Sequence, residues 1–198
     1  MNDTPTPSNL NADALPEDAP YLVATTLWLE RAVIGLNLCP FAGRPAREGR
    51  VRVCVSEAAD ELALLTELQF ELQKLDETPP AQLETTIIAI PQLFADFADY
   101  NDFLDQVDAL LEQFEWSGDY QVASFHPQYQ FAGTMPGDAE NLTNRAPYPL
   151  LHLLREDSVE AALDSHPDPD RIPEDNIRRM RELSAEQRKR LFGYLPGE

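Results

Sequence analysis

The strongest constraint on the fold is an alternation of strand-forming runs with helix patterns. Val51–Val55, residues 85–90 and Tyr120–Phe125 are rich in β-branched and aromatic residues, as expected of buried strands. The first helix pattern consists of Leu62, Leu65, Leu68, Leu72 and Leu75. The second begins at Asp96 and has one apolar and one acidic face. This order favours an α/β fold with right-handed crossovers.

Further elements complete the predicted domain. Pro20 opens a helix that is apolar almost all round and ends before Pro40, and Ser56 is placed to cap the helix after the first strand. A fourth strand is expected at residues 150–154, and short helices at residues 158–163, 174–182 and 185–192. We predict one α/β domain with a mostly parallel or mixed four-stranded sheet flanked by helices. It has a long polar loop after the third strand and short C-terminal helices.

Composition divides the chain into three segments. Residues 1–19 are polar and rich in Pro, Asn and Asp, so we expect a disordered N-terminal tail. Residues 20–165 form the predicted α/β core domain. Residues 166–198 begin with a proline-rich linker and continue as short helices that are expected to pack on the core. Ser184 and Gln187 have capping-box spacing for the second of these helices.

The charge balance argues against several classes of partner. The chain has 198 residues, a formal net charge of −20 and a pI of about 4.3. Such a field repels nucleic-acid phosphates and anionic membranes, so we expect no nucleic acid and no membrane as partner. Two cysteines and the lack of an apolar N-terminal run favour a cytoplasmic protein with reduced thiols. The sequence leaves the oligomeric state open.

Residues 124–156 are the strongest candidate for a functional segment. They follow a strand, and four prolines and two glycines prevent a helix over most of their length. A long non-helical connection in a compact domain is usually functional or disordered, and its aromatic and aliphatic content argues against disorder. The segment begins near the carboxyl end of a strand, where α/β folds commonly bind ligands.

Three residues are candidates for catalysis. His126, at the mouth of the loop, is either a general acid/base or a satisfied polar group. Cys39 is either a nucleophile or a small buried side chain, because a helix C-terminus has the wrong dipole sign to lower a thiol pKa. His152, between leucines, is either a third catalytic group or a neutral, hydrogen-bonded core histidine.

Arg145 and Arg155 are the candidate pair for binding a small anionic ligand. A guanidinium group matches a carboxylate or phosphate bidentately, although either arginine could instead pair with a local carboxylate. Asn144, Asn141 and Tyr129 are expected to contact the same ligand. The alternatives are that the asparagines stabilise turns and that the tyrosine packs.

Common cofactor and metal signatures do not occur in the sequence. There is no P-loop, dinucleotide fingerprint or nucleophile elbow, so the cofactor stays unassigned. Cys39, His126 and His152 lack the spacing of a zinc motif, and we expect no metal site.

Two stretches of the chain resemble a known family. LWLERAVIGLNLCPFA and SFHPQYQF…NLTNRAPYPLLHLLRE are similar to the bacterial family catalogued as domain of unknown function 1415. The resemblance covers about residues 22–191. It implies that the family motifs contain Cys39, His126, Asn144, Arg145, His152 and Arg155. It implies no particular reaction.

These residues support two functional hypotheses. In the first, the protein is an enzyme acting on a small anionic metabolite, and His126, Arg145, Arg155 and Cys39 share one pocket. In the second, it is a non-catalytic binding or interaction domain whose polar loop docks a partner or cofactor. A pocket lined by the histidines and Arg145 would favour the enzyme, and an exposed apolar patch would favour the interaction domain.

Overall fold

Four strands form one mixed sheet, which confirms the predicted architecture. Their bounds are β1 Val51–Val55, β2 Thr85–Ala89, β3 Tyr120–Phe125 and β4 Leu150–Arg155, and their order in the sheet is β1-β2-β4-β3. β1 and β2 are parallel, whereas β4 runs antiparallel to both of its neighbours. The carboxyl ends of β1, β2 and β3 therefore meet at one edge of the sheet, where β4 begins.

The computed structural model describes residues 17–195, so residues 1–16 of the predicted tail lie outside the described residues. The helices are α1 Ala19–Trp28, α2 Gly43–Arg47, α3 Glu61–Glu77, α4 Phe97–Gln113, α5 Glu156–Ser165, α6 Ile172–Glu182 and α7 Ala185–Phe192. α1 continues as a π-helical segment, Leu29–Ile34, and two 3-10 helices span Ala139–Asn144 and Pro169–Arg171. The predicted opening helix is thus confirmed. Its change from α-helical to π-helical geometry after Trp28 could not be predicted from its apolar pattern.

Side-chain caps fix where the crossover helices begin. The Asp60 carboxylate accepts a hydrogen bond from the Ala63 amide at 2.8 Å and caps α3. The expectation for Ser56 is wrong, because its hydroxyl accepts from the Ala58 amide in the preceding turn. Asp96 caps α4 as predicted, through the Ala98 amide at 2.7 Å. The predicted capping box of α7 is also present.

α3 and α4 cover the first face of the sheet. Ile88, Ile90, Leu151 and Leu153 point to this face from β2, its exit and β4, as strand alternation requires. The helices contribute Leu64, Leu68, Leu72, Leu75, Tyr100, Phe103, Val107, Leu110 and Leu111. Leu62 was expected to belong to this apolar row, but its side chain is 75% exposed, and Leu64 takes the buried position.

The second face is covered by segments from both ends of the chain. Ile87, Ala89 and Leu150 point to this face. Trp28, Leu29, Ala32 and Val33 pack there from the opening helix, together with Met180, Phe192 and Leu195 from the C-terminal region. The C-terminal helices thus complete the core, because Met180 and Phe192 have no exposed surface.

His152 is a structural residue of this second face. It pairs with Ile87 and Ala123 in the sheet register, and its Nε2 lies 2.7 Å from the Thr85 hydroxyl. That hydroxyl donates to the Leu153 carbonyl at 2.5 Å, so it accepts a hydrogen bond from Nε2–H of the imidazole. Burial lowers the pKa of His152 to about 4. These contacts and the lowered pKa favour the second alternative for His152, a neutral and hydrogen-bonded core histidine.

We predict that His152 makes folding sensitive to mild acid. Its pKa is lower in the folded chain than the value of about 6.5 expected after unfolding, so the unfolded state binds the proton first. The stability that neutral His152 contributes to the folded chain is fully present above about pH 6.5 and is lost as the pH falls toward 4. His152→Gln keeps a hydrogen-bond donor that does not titrate. Over this pH range the free energy of unfolding of the wild type should therefore fall by up to about 3 kcal/mol more than that of the variant. Urea unfolding across this pH range measures the difference, and parallel stability curves would contradict it.

Candidate functional site

His126 holds two loops together at the end of β3. Its side chain is 1% exposed, its Nε2 donates to the Phe94 carbonyl at 2.9 Å, and its Nδ1 accepts from the Gln128 amide at 3.0 Å. Burial lowers the pKa of His126, which keeps the ring neutral in this arrangement. Both ring nitrogens are therefore engaged, and the satisfied polar group describes His126 better than a general acid/base does.

Asn141 organises the polar loop from inside. It has no exposed surface, and its side-chain oxygen accepts from the Phe131 amide and the Thr134 hydroxyl, both at 2.9 Å. Its amide nitrogen donates to the Met135 carbonyl at 2.8 Å. These bonds close the turn formed by residues 131–135, so the turn-stabilising alternative accounts for this asparagine.

Arg145 and Tyr129 support the same loop. The Arg145 guanidinium donates to the backbone carbonyls of Tyr129 at 3.2 Å and Pro136 at 2.7 Å. Its own carbonyl accepts from the Trp28 indole at 3.0 Å, which ties the loop to the opening helix. The Tyr129 ring packs on Phe97 with centroids 4.9 Å apart, as the packing alternative expects.

Arg155 lies at the opposite end of the sheet. Its Nη2 donates to the carbonyls of Leu75, Thr78 and Leu83 at 2.5, 2.6 and 3.2 Å, and its guanidinium lies 5.8 Å from the centre of the Tyr120 ring. It thereby caps the C-terminus of α3, where the helix leaves carbonyls without helical partners.

The expectation of one shared pocket is wrong. Arg155 ends β4, whereas His126 follows β3 beside the start of β4, so about 17 Å of strand separates them. Arg145 and Arg155 cannot hold one small anion together for the same reason. His126 contacts Phe97 and Tyr100 on the α4 side of the sheet, whereas Cys39 packs with the opposite core. β4 is inserted antiparallel between β2 and β3. Residues that would lie close together in a simple alternation of parallel strands and helices are therefore far apart.

Cys39 does line a cleft, with a volume of 610 Å³. We name it the Cys39 cleft. It lies on the second face of the sheet beside the end of β3, bounded by the π-helical segment, the polar loop and the start of α6. Its lining residues are Val33, Leu38, Cys39, Phe125, Phe131, Thr134, Glu140, Thr143, Asn144, Ile172, Pro173, Asn176 and Ile177. Of the predicted site residues, the structure brings Cys39 and Asn144 together here.

Most polar groups of the cleft wall already have partners. Asn144 donates to the Ser124 carbonyl at 3.2 Å, and Thr143 donates to the Glu140 carbonyl at 2.7 Å. Asn176 donates to the Leu38 carbonyl at 2.7 Å and thereby fastens α6 beside Cys39. The Glu140 carboxylate lies 3.4 Å from the Arg181 guanidinium. A ligand would thus meet mainly apolar walls, with the Cys39 thiol and the Glu140 carboxylate as the reactive and charged groups.

Sequence reasoning missed the contribution of α6 to this cleft. Ile172, Asn176 and Ile177 come from a segment predicted as a short helix packing on the core, without a role in the site. Apolar residues at positions 172, 177 and 180 do mark one face of α6, and this face is the available signal. The pattern does not say which part of the core the face covers.

The described residues contain neither a metal cluster nor a membrane span. Within residues 17–195, no group of three or more His, Cys, Asp and Glu side chains is arranged to hold a metal ion. Over the same range, no helix combines the length and the apolar character that crossing a bilayer requires.

We predict that Arg155 stabilises the fold. Arg155→Lys loses the Nη2 group that donates to three carbonyls and the Nη1 contact with the Tyr120 hydroxyl, and it should lower the free energy of unfolding by about 2–3 kcal/mol. Arg44→Lys is a matched control, because the Arg44 side chain is 78% exposed and pairs with Glu48 on the surface. Denaturant unfolding compares the two variants. Equal, small effects would contradict the capping role.

We also predict that the two cysteines differ in reactivity. Burial raises the pKa of Cys54 to about 12, so little of its reactive thiolate exists near neutral pH. Both side chains are partly buried, but of the two only Cys39 lines the Cys39 cleft. A chromogenic disulfide reagent should modify one thiol quickly in the native chain. Cys39→Ser should abolish this reaction and Cys54→Ser should preserve it; the reverse pattern would contradict the assignment.

Comparisons with known proteins agree with the resemblance noted in the sequence. No curated protein and no solved structure was found to match the chain significantly. The model of a family described as a protein of unknown function, DUF1415, matches residues 21–190, which is most of the chain. The chain therefore belongs to the DUF1415 family.

Proposed function

We propose that the protein is a non-catalytic binding domain that holds a small, largely apolar molecule in the Cys39 cleft. The observation that carries this proposal is a concave site with apolar walls and few polar groups, of the size that small-molecule sites commonly have. Phe125, Phe131, Ile172 and Ile177 supply large apolar surfaces from three separate parts of the chain. Such a site favours a ligand with an aromatic or aliphatic body.

The charges around the cleft set the polarity of the ligand. Glu140 is the charged residue among the described residues that line the cleft, and its carboxylate already faces Arg181. A neutral ligand, or one with a hydrogen-bond donor that reaches Glu140, suits this balance better than a phosphate does. We propose a cytoplasmic location as well, supported by the free thiols of Cys39 and Cys54.

The enzyme acting on a small anionic metabolite remains the second candidate. The accessible position of Cys39 in the cleft favours it, because a nucleophilic thiol must reach its substrate. The bonding of the other candidates gives it less support: Arg145 and Arg155 donate to backbone carbonyls, and His126 has both nitrogens engaged. His126 also contacts Phe97 and Tyr100 on the opposite face of the sheet from Cys39, so it is not placed to act as a base for this thiol.

A substitution that fills the cleft tests the binding proposal. Ile177→Trp adds a large ring from α6 and should abolish binding of small aromatic fragments that the wild type retains. Val23→Trp is the matched control, because Val23 is 57% exposed and does not line the cleft. Ligand-observed nuclear magnetic resonance with a library of neutral aromatic fragments measures both variants.

Three observations would decide the result. Fragments that bind the wild type and Val23→Trp, but not Ile177→Trp, would support the proposal. Fragments that bind Ile177→Trp equally well would contradict it, as would a library without saturable binding. Thermal unfolding shows whether Ile177→Trp folds, and Thr143→Leu offers a second variant that narrows the cleft if it does not.

A further inference from the structure

A second cleft opens at the same edge of the sheet, on the face covered by α3 and α4. It has a volume of 770 Å³ and lies between the first turn of α3 and the first three turns of α4. We name it the α3–α4 groove. It shares no lining residue with the Cys39 cleft. The two clefts are nevertheless adjacent, because Phe125 lines the Cys39 cleft and the next residue, His126, bonds to Phe94 of the groove.

The floor of the groove is apolar and rigidly built. It consists of Leu93, Phe94 and Phe103, and the rings of the two phenylalanines lie 4.8 Å apart. Phe94 has a φ of 58°, a left-handed conformation that is uncommon for a bulky residue. The hydrogen bond from His126 Nε2 holds the Phe94 carbonyl in place. An occupant therefore meets a surface that does not have to be ordered on binding.

Leu62 extends this apolar surface onto the rim. It is the second residue of α3, and its side chain is 75% exposed although Leu64 and Leu68 are fully buried. It lines the groove beside the apolar floor. An exposed leucine at this position offers an apolar contact to a molecule lying in the groove.

The rest of the rim is acidic. Asp60, Glu61, Asp99 and Asp102 line the groove, and the described lining residues include no Lys, Arg or His. Asp60 neutralises the positive end of α3 through its bond to the Ala63 amide, which removes the usual reason for an anion to bind at a helix start. Gln106 donates to the Glu61 carboxylate at 2.7 Å and positions it on the rim. The groove thus attracts cations, and the net charge of −20 adds to this attraction.

We propose that the α3–α4 groove docks a Lys/Arg-rich amphipathic segment of a partner protein. The cations of the segment pair with the acidic rim, and one or two apolar side chains contact Leu62 and the floor. The acidic N-terminal tail of this chain does not fit, because residues 1–16 contain two aspartates and no Lys or Arg. A partner of this kind is distinct from the small apolar ligand of the Cys39 cleft, so the two proposals can fail separately.

A peptide titration with paired variants tests the proposal. The probe is the hexapeptide Lys-Arg-Leu-Phe-Lys-Arg, blocked at both ends and followed by chemical shifts of the full chain. Asp99→Asn/Asp102→Asn should weaken its binding about tenfold, because both charges line the groove. Asp105→Asn/Asp108→Asn makes the same change in net charge at exposed positions of α4 outside the groove, and should weaken binding by no more than about twofold.

A second pair of variants separates apolar contact from charge. Leu62→Ser should weaken binding about fivefold, whereas Phe70→Ser should leave it unchanged, because Phe70 is 64% exposed on the same helix and does not line the groove. A peptide with serines in place of Leu and Phe should bind more weakly than the probe. Equal weakening by both charge pairs, equal binding of the serine peptide, or no saturable binding at millimolar peptide would overturn the proposal.

Discussion

Strand β4 occupies the slot between β2 and β3 and runs opposite to both, and the rest of the molecule depends on this insertion. The chain leaves β3 at one edge of the sheet and re-enters as β4 at the same edge. The long polar loop therefore turns back on itself instead of crossing a face. The other end of β4 carries Arg155 to the far edge, where it closes the C-terminus of α3. Because of this strand order, residues that share one motif in the sequence have structural roles at opposite ends of the sheet.

The polar residues of that motif act largely as internal supports. His126, Asn141 and Arg145 each bond to backbone groups of loop segments that lack a regular ladder. Buried backbone donors and acceptors need partners, and the turns of this loop supply only part of them from its own main chain. Side chains that can form two or three bonds meet this need efficiently. This requirement accounts for the concentration of histidine, asparagine and arginine in one segment.

The two proposed binding surfaces lie around these supports. The Cys39 cleft and the α3–α4 groove occupy opposite faces at the same edge, and the bond from His126 to Phe94 joins their walls. One cleft is mainly apolar, and the other combines an apolar floor with an acidic rim. The two proposals, a small ligand in the first and a basic segment in the second, follow from this difference in lining chemistry. Their shared edge is also where α/β sheets commonly place ligands.

The sequence by itself determined the elements, because local periodicity and capping chemistry specify helices and strands over short distances. Val51–Val55, Tyr120–Phe125 and Ala185–Phe192 were predicted to the residue, and Asp96 was identified as the start of α4. Ser56 and Leu62 were misassigned, because two acceptable caps and two leucine registers occur within a few residues. Tertiary structure decided the position and direction of β4, and with them the separation of Arg145 from Arg155 and of His126 from Cys39. Strand order depends on which apolar faces of elements far apart in the sequence pack against each other. Such long-range packing cannot be inferred from any single position of the sequence.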